Sequence, residues 1–526
     1  MRVKMYINDT LQSNTQLHNH PLGNRMRPIS SSTIFQIRLS FAPLLFLLVA
    51  SMSSNVLADI TLPKLFSDHM VLQRNSDVPV WGTAKAGEKL KIAFGDFESV
   101  VVANADGKWA TKVRTGDAGG PFELNISSED SDINVGFTNV MVGDVWICSG
   151  QSNMEWKVSQ ALNPETEIEK AKNFPNIRLF SIETSSSPTP LEDFGVVKPW
   201  AVCSPDSVKD FSAVGYFFGR EVSRKFEDVP IGLIDSTWGG TRCEAWVSRG
   251  SLDEVESLGP LLKHWDDQKE MVTSRNHPAN IYNSMVAPMT RFPVKGFIWY
   301  QGEANVGRGH QYQALLQALI KDWRKQFGSE TLPFYFVQLA PYKYDLGENA
   351  LQELWDAQFK TANSVANTGM VVTTDVGDLD DIHPRNKQAV GQRLAILALK
   401  GCYAEELKDN PVEGESCGPM FESISKSGAQ VRVTFKHVGE SLRLRNQDSS
   451  LKGFTVCGKD GVFHPAVATI VDKVVVELIC AKVPEPTEVR FGWSEDFEMN
   501  LINDAGLPAS PFRSDDFPLT SEGKNF

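Results

Sequence analysis

Three textures of apolar and polar positions follow one another along the chain. From Ile60 to about Val140 the pattern is short β-rich runs, among them Val78-Pro79-Val80-Trp81-Gly82, residues 90–94 and residues 99–102. Turn signals such as Asp106-Gly107 and Gly119-Gly120-Pro121 separate them, so this part predicts a small β-sandwich. From Val142 strands alternate with helices. The expected strands are 144–147, 177–182, 231–235, 296–299, 334–338 and 370–374, and the expected helices include 213–226, 312–327 and 386–399. That alternation predicts an α/β domain with a mostly parallel sheet covered on both faces. From about Glu422 β texture returns at 430–435, 474–478 and 488–491. The expected organisation is an N-terminal β domain over 59–140, an α/β domain over 141–421 and a C-terminal β domain over 422–526, with no repeat at a solenoid or propeller period.

The first 58 residues read as an address. Arg38 precedes a short apolar run, residues 39–50, and the segment ends in Val56-Leu57-Ala58. Small residues there suit signal-peptidase cleavage between Ala58 and Asp59, which predicts a secreted or periplasmic chain without stable membrane association after cleavage. An uncleaved anchor is the alternative, and Met26 is an alternative start. Composition narrows the partners. A formal net charge of -13, with no cluster of Lys and Arg, opposes the field that nucleic acid requires. Seven cysteines suit an oxidising compartment, with Cys402–Cys417 and Cys457–Cys480 as plausible local pairs, but no C-x-x-C or Cys/His spacing points to a metal.

In an open α/β sheet ligands bind at the carboxyl ends of the strands. Four polar or glycine-rich segments follow expected strands: Ser149-Gly150-Gln151-Ser152-Asn153-Met154, Ser236-Thr237-Trp238-Gly239-Gly240-Thr241, Tyr300-Gln301-Gly302-Glu303-Ala304-Asn305, and the run from Asp375 through Asp380-Asp381-Ile382-His383-Pro384. They supply the parts of an acyl-transfer site. A serine hydroxyl is a poor nucleophile until a base takes its proton, and His383, with Asp380 and Asp381 just before it, is the best base in the chain. Gly239-Gly240 offers backbone N–H groups and Gln301 a side-chain amide to a developing oxyanion, each worth roughly 10²–10³ in rate if well placed. Each segment alone has an ordinary reading: a helix cap, a turn, a helix-initiating loop, a solvated turn. Their common position after strands of one sheet sets them apart. Met154 breaks Gly-x-Ser-x-Gly, so Ser152 is not on the nucleophile elbow of α/β-hydrolases.

Together these segments resemble the SGNH-type hydrolases and, more closely, the sialate O-acetylesterase family. The resemblance extends to Leu65-Phe66-Ser67-Asp68-His69-Met70 with Val80-Trp81-Gly82 near the start, to Glu244-Ala245-Trp246 in the middle, and to Asn500-Leu501-Ile502-Asn503 with residues 506–513 at the end. It implies a three-layer α/β/α SGNH-hydrolase-like domain with flanking β-sandwich-like modules. Within it Ser152 attacks an ester carbonyl, His383 is the general base, and Gly239 or Gly240, Gln301 and the Ser152 N–H form the oxyanion hole. The superfamily's Asp-x-x-His spacing selects Asp380, toward which the expectation leans, whereas the closer family matches at Asp381; a backbone carbonyl orienting the imidazole is a third arrangement. The wider superfamily has Asn where this chain has Gln301, one methylene longer.

The implied substrate is an acetyl ester on a sugar, in particular an O-acetylated sialic acid. Acetylated plant polysaccharide such as xylan is the alternative substrate, and a non-catalytic carbohydrate-binding protein the alternative class. Trp238, Arg242 and Glu303 are the expected substrate contacts, with Trp156, Trp246 and Tyr300 as further rim candidates and core packing the other reading for Trp238 and Trp246. No cofactor is needed, because serine acyl transfer carries its own nucleophile.

Overall fold

Parallel strands buried on both faces require continuous apolar runs, and such runs form the centre of this protein. The computed structural model describes residues 59–495 and 498–524, which fall in one compact unit spanning Leu57–Phe526. The expected leader and its cleavage site after Ala58 lie outside the described residues. The central strands are β1 (Asn134–Gly150), β2 (Ile177–Ile182), β3 (Val196–Val202), β4 (Ile231–Thr237), β5 (Gly296–Tyr300), β6 (Phe334–Val337) and β7 (Thr368–Val371). Their order in the sheet is β7-β6-β5-β1-β4-β2-β3, parallel throughout except for the edge strand β3, which runs antiparallel to β2. Every residue of β4 and of β5 is buried. The chain leaves β1 on one side, returns to β4, then crosses to β5 on the other, so β1 lies at the topological switch point.

Helices cover both faces. Those that matter for the site are α1 (Ser152–Glu155), α2 (Ala213–Ser223), α3 (Gly309–Gln326), α4 (Ala350–Ser364) and α5 (Lys387–Lys400). Helices α2 and α5 pack together on the face of β1 that carries Trp146, whose ring meets Phe218 of α2 at 4.9 Å. Helices α3 and α4 pair on the other face, where Trp299 of β5 meets Trp323 of α3 at 5.8 Å. Helix α4 is absent from the expected elements. Its N-cap is Asn349, a residue type that favours helix starts, although here it is left-handed and its side chain makes no cap bond. The strand expected at 370–374 runs instead over Thr368–Val371, which leaves a longer loop before α5.

The N-terminal strands show the alternation of a half-buried sheet: Leu90, Ile92 and Phe94 are buried along Lys89–Phe94, and Leu124 and Ile126 along Gly119–Ser128. Gly119–Ser128 pairs with the first half of β1, while the second half pairs with β4 and β5. The 17 residues of β1 thus run through position 141 without a break. At the other end, the antiparallel sheet of Met420–Ser427, Gln430–Lys436, Val475–Ile479 and Val467–Asp472 meets a second one containing Phe454–Cys457, Glu488–Phe491 and Phe512–Arg513. Phe435 of the first sheet packs on Phe454 and Phe512 of the second at 6.5 and 5.8 Å.

The expected disulfides do not form, and all seven cysteines are free thiols. Cys457 belongs to the second of these sheets, whereas Cys480 follows the Val475–Ile479 strand of the first. Cys402 turns its sulfur to the Ala398 carbonyl at the end of α5.

Candidate active site

The segment carrying Ser152 is shaped by a close approach of two backbones. Gly150, the last residue of β1, has φ 138°, and a Cβ there would lie 2.2 Å from the Tyr300 carbonyl oxygen, so only glycine fits. Gln151 then ties the turn to the segment after β5. Its N–H donates to the Tyr300 carbonyl at 3.0 Å, and its buried Oε1 accepts from the Gly302 and Ala304 N–H groups at 3.3 Å each. Ser152 opens α1, half-buried, at the carboxyl end of the central strand.

His383 comes from the loop between β7, at the edge of the sheet, and α5. Because α5 packs along α2, which lies against β4, the loop is carried back to the centre. The Leu162 N–H donates to the Arg385 carbonyl at 2.9 Å and holds it there. His383 Nε2 lies 2.9 Å from Ser152 Oγ, within hydrogen-bond reach. The imidazole stacks on Trp156, with centroids 4.7 Å apart and planes 16° from parallel. Burial and then the Lys387 ammonium push His383 below its ordinary pKa, against a smaller upward pull from Asp381.

Of the two carboxylates before His383, Asp381 is the one that approaches it. Asp381 Oδ1 lies 3.9 Å from His383 Nδ1, beyond hydrogen-bond length, and accepts the His383 backbone N–H at 2.9 Å. Asp380 turns its N–H to Asp378, and among the described residues no bond or ion pair joins its carboxylate to His383. The geometry therefore favours Asp381 over Asp380, the one toward which the motif spacing leans. With 52% of its side chain exposed, the Asp381 carboxylate is screened by solvent rather than buried against the imidazole.

Of the expected oxyanion donors, Gly239 lies against Ser152: a methyl group there would come within 3.2 Å of Ser152 Cβ. Its N–H is occupied, donating to Glu155 Oε2 at 2.6 Å. Gly240 follows with φ 71° and is exposed. Gln301 is not brought to Ser152. It is fully buried, and both hydrogens of its amide are used, on the Thr241 carbonyl at 3.1 Å and on Asn305 Oδ1 at 2.7 Å; Tyr312 Oη donates to its Oε1 at 3.0 Å. The extra methylene relative to asparagine carries the amide into this bracing network, so the structure gives Gln301 a bracing place instead of the expected oxyanion contact.

The expected substrate contacts divide in the same way. Trp238 is half-buried with the Arg275 guanidinium 5.5 Å from its ring, and Arg242 lies 5.7 Å from the Trp265 ring. Burial lowers the Arg242 pKa, and among the described residues neither guanidinium has a hydrogen-bond or ion-pair partner. Glu303 is not on the rim. It is buried, its pKa is raised by that burial, one oxygen accepts from Asn153 Nδ2 at 2.5 Å and the other has no partner. Trp246 and Tyr300 are core residues, and Trp156 faces the imidazole.

Asn153, Glu155, Arg275 and Lys387 were not among the expected site residues. Lys387 carried a readable signal: it is the first residue of α5, where a cation opposes the helix dipole and is out of place unless something else holds it. The other three are polar residues in polar segments, with no pattern to mark them.

Comparison with known proteins identifies the family. Residues 142–400 match the family described as carbohydrate esterase, sialic acid-specific acetylesterase. The chain is 31% identical to the sialate O-acetylesterase of Homo sapiens over 74% of its own length and 79% of that protein's. It is 28% identical to the sialate O-acetylesterase of Mus musculus over 89% and 97% respectively. Among solved structures, a carbohydrate acetylesterase from Xanthomonas citri is 36% identical, covering 87% of this chain and all of its own, with a TM-score of 0.78. The chain thus belongs to the sialic acid-specific acetylesterase family of carbohydrate esterases, and it is a carboxylic ester hydrolase.

Proposed function

We propose that the protein removes O-acetyl groups from sugars, with Ser152 as nucleophile and His383 as general base. The observation that carries this reading is the 2.9 Å contact between Ser152 Oγ and His383 Nε2 at the carboxyl end of the central strand. Ser152 Oγ attacks the acetyl carbonyl while His383 takes its proton, and the carbonyl oxygen becomes the oxyanion of a tetrahedral intermediate. The Ser152 N–H, in the first turn of α1 where helical N–H groups have no intrahelical acceptor, is one donor to it. The Gly239 N–H is the second, once Glu155 yields it, with Gly240 next in the same turn. Collapse breaks the ester bond, His383 gives its proton to the departing sugar oxygen, and acetyl-Ser152 remains. Water, deprotonated by His383, then attacks the acetyl-serine; as the second tetrahedral intermediate collapses, His383 returns the proton to the departing Ser152 Oγ and acetate is released. Asp381 supports the imidazolium electrostatically, so the working unit is a Ser–His pair with a distant carboxylate.

For the sugar, the favoured reading is an O-acetylated sialic acid. Arg242 and Arg275 lie on the segments around Gly239-Gly240, linked by the Arg242 N–H donating to Asn276 Oδ1 at 3.0 Å, and among the described residues neither guanidinium is paired with an anion, the Glu244 carboxylate acting on Arg242 only at a distance. A sugar carboxylate supplies one in the bidentate form arginine prefers. A neutral acetylated polysaccharide such as xylan is the second reading, compatible with the likeness to the carbohydrate acetylesterase from Xanthomonas citri.

Acetate release from 9-O-acetylated sialic acid and from acetylated xylan, measured side by side for the unmodified protein, Ser152→Ala and His383→Ala, tests both parts. Loss of at least about 10³ in kcat in either variant is expected. Full activity of Ser152→Ala sinks the mechanism, and a clear xylan preference sinks the substrate. Among the described residues no helix is long and apolar enough to cross a membrane. Export and cleavage after Ala58 are part of the same proposal, checked by finding Asp59 at the N-terminus of the mature protein.

A further inference from the structure

Lys387 is fully buried, an unusual place for a lysine with no carboxylate in direct contact. The groups that face it are Asn153 and Trp156 from the α1 segment, Tyr300 and Glu303 from the end of β5 and the turn after it, and Asp381 and His383 from its own loop. Its ammonium donates to Asn153 Oδ1 and lies 5.2 Å from the Tyr300 ring and 5.9 Å from that of Trp156. Asn153 Nδ2 in turn donates to Glu303 Oε1 at 2.5 Å and to the Ile382 carbonyl at 3.0 Å.

We propose that Lys387 is a positioning residue that holds Ser152 and His383 in register with each other through Asn153, a role that rests on the acyl-transfer reading above. Asn153 follows Ser152 in the chain and Ile382 precedes His383. One amide therefore bridges the peptide neighbours of nucleophile and base. An amide is nearly symmetric, so something must decide which end faces Ile382. The cation on Oδ1 does this, because it forces the NH2 toward the Ile382 carbonyl and Glu303; a turned amide would set two oxygens against each other. Stability alone does not account for a lysine here, since a buried ion can be replaced by an apolar side chain of similar volume with little loss.

The same charge acts directly on the imidazole. Burial lowers Lys387 to about 7, against the pull of Glu303 and Asp381, while its positive form disfavours a second positive charge on His383. The ammonium thus keeps the base neutral to lower pH than a neutral residue at 387 would.

The test is the pH profile of kcat and KM with p-nitrophenyl acetate for the unmodified protein, Lys387→Met, the double variant Lys387→Met/Glu303→Gln, and Ser152→Ala. In Lys387→Met, kcat falls about 10–100-fold with KM within about 3-fold, and the acid limb of kcat/KM moves to higher pH. The double variant removes both buried charges. If Lys387→Met alone fails to fold, the double carries the test with the same expected kcat and limb. Wild-type kcat with an unmoved limb in a folded Lys387→Met or in the double variant overturns the positioning role and leaves the Ser152–His383 reading intact. Activity retained in Ser152→Ala overturns that reading itself.

Discussion

Glu155 and Gly239 close on one another beside the nucleophile: the Glu155 carboxylate accepts the Gly239 N–H at 2.6 Å, using the donor an ester oxyanion would need. A charge-assisted bond of this kind is about twice as strong as a neutral one, and a fixed negative charge there opposes a developing oxyanion. In the proposed mechanism substrate therefore displaces Glu155 before Gly239 serves as donor.

Glu155→Gln keeps an acceptor for the Gly239 N–H but removes the charge. The expected result is a rise of about 3–10-fold in kcat/KM for acetyl esters at neutral pH, in line with a weaker bond to displace. A fall of tenfold or more would show that Glu155 supports the turn or the substrate instead.

Gly239→Ala sets a methyl group 2.9 Å from Glu155 Oε2 and 3.2 Å from Ser152 Cβ. The backbone angles at 239 are not left-handed, so the cost is contact rather than strain. Circular dichroism is expected to show a native fold while kcat drops about 10–100-fold, the range seen when an oxyanion donor is misplaced. Unchanged kcat would remove Gly239 from the mechanism.

The pH dependence follows from His383. A base whose pKa lies below its ordinary value of 6.5 stays neutral, and active, at correspondingly lower pH, so the acid limb of kcat/KM falls below pH 6.5. Asp381 pulls the histidine upward, so Asp381→Asn shifts that limb to still lower pH, opposite to the effect of removing the Lys387 charge. Asp380→Asn serves as the comparison; if it moves the limb more than Asp381→Asn does, the assignment of Asp381 fails.

Gln301→Asn separates bracing from catalysis. Shortening the side chain releases the Thr241, Asn305 and Tyr312 contacts inside a fully buried pocket, which costs about 1–3 kcal/mol of stability. Thermal unfolding is expected to show that loss, with kcat of the folded protein reduced less than in Gly239→Ala. The reverse ranking would restore Gln301 as an oxyanion donor.

What the sequence made legible follows from burial on two faces. The runs at 231–235 and 296–299 sit where they were expected because parallel strands under helices leave no room for polar alternation. Ser152, Gly239 and Gln301 all follow the three adjacent central strands, so reading the ends of strands found segments that meet at the end of β1. It did not find the direction in which side chains turn. Gln301 and Glu303 are buried and Arg242 only half-buried, although all three follow strands in polar segments. Asp380 and Asp381 are indistinguishable as neighbours in a loop until its hydrogen bonds choose between them. Lys387 at the start of α5 offered the one hint of an unusual lysine, but after Pro-Arg-Asn it reads as surface, and its burial depends on the long loop that folds back from β7.

β1 crosses from the N-terminal strands into the catalytic sheet as one continuous backbone, pairing with Gly119–Ser128 on its first half and with β4 and β5 on its second. Melting of either half frays the other, which couples the N-terminal strands to the turn that bears Ser152. In calorimetry the two parts should melt as a single cooperative transition, and a protease nick near residue 141 should inactivate the esterase rather than liberate a working fragment.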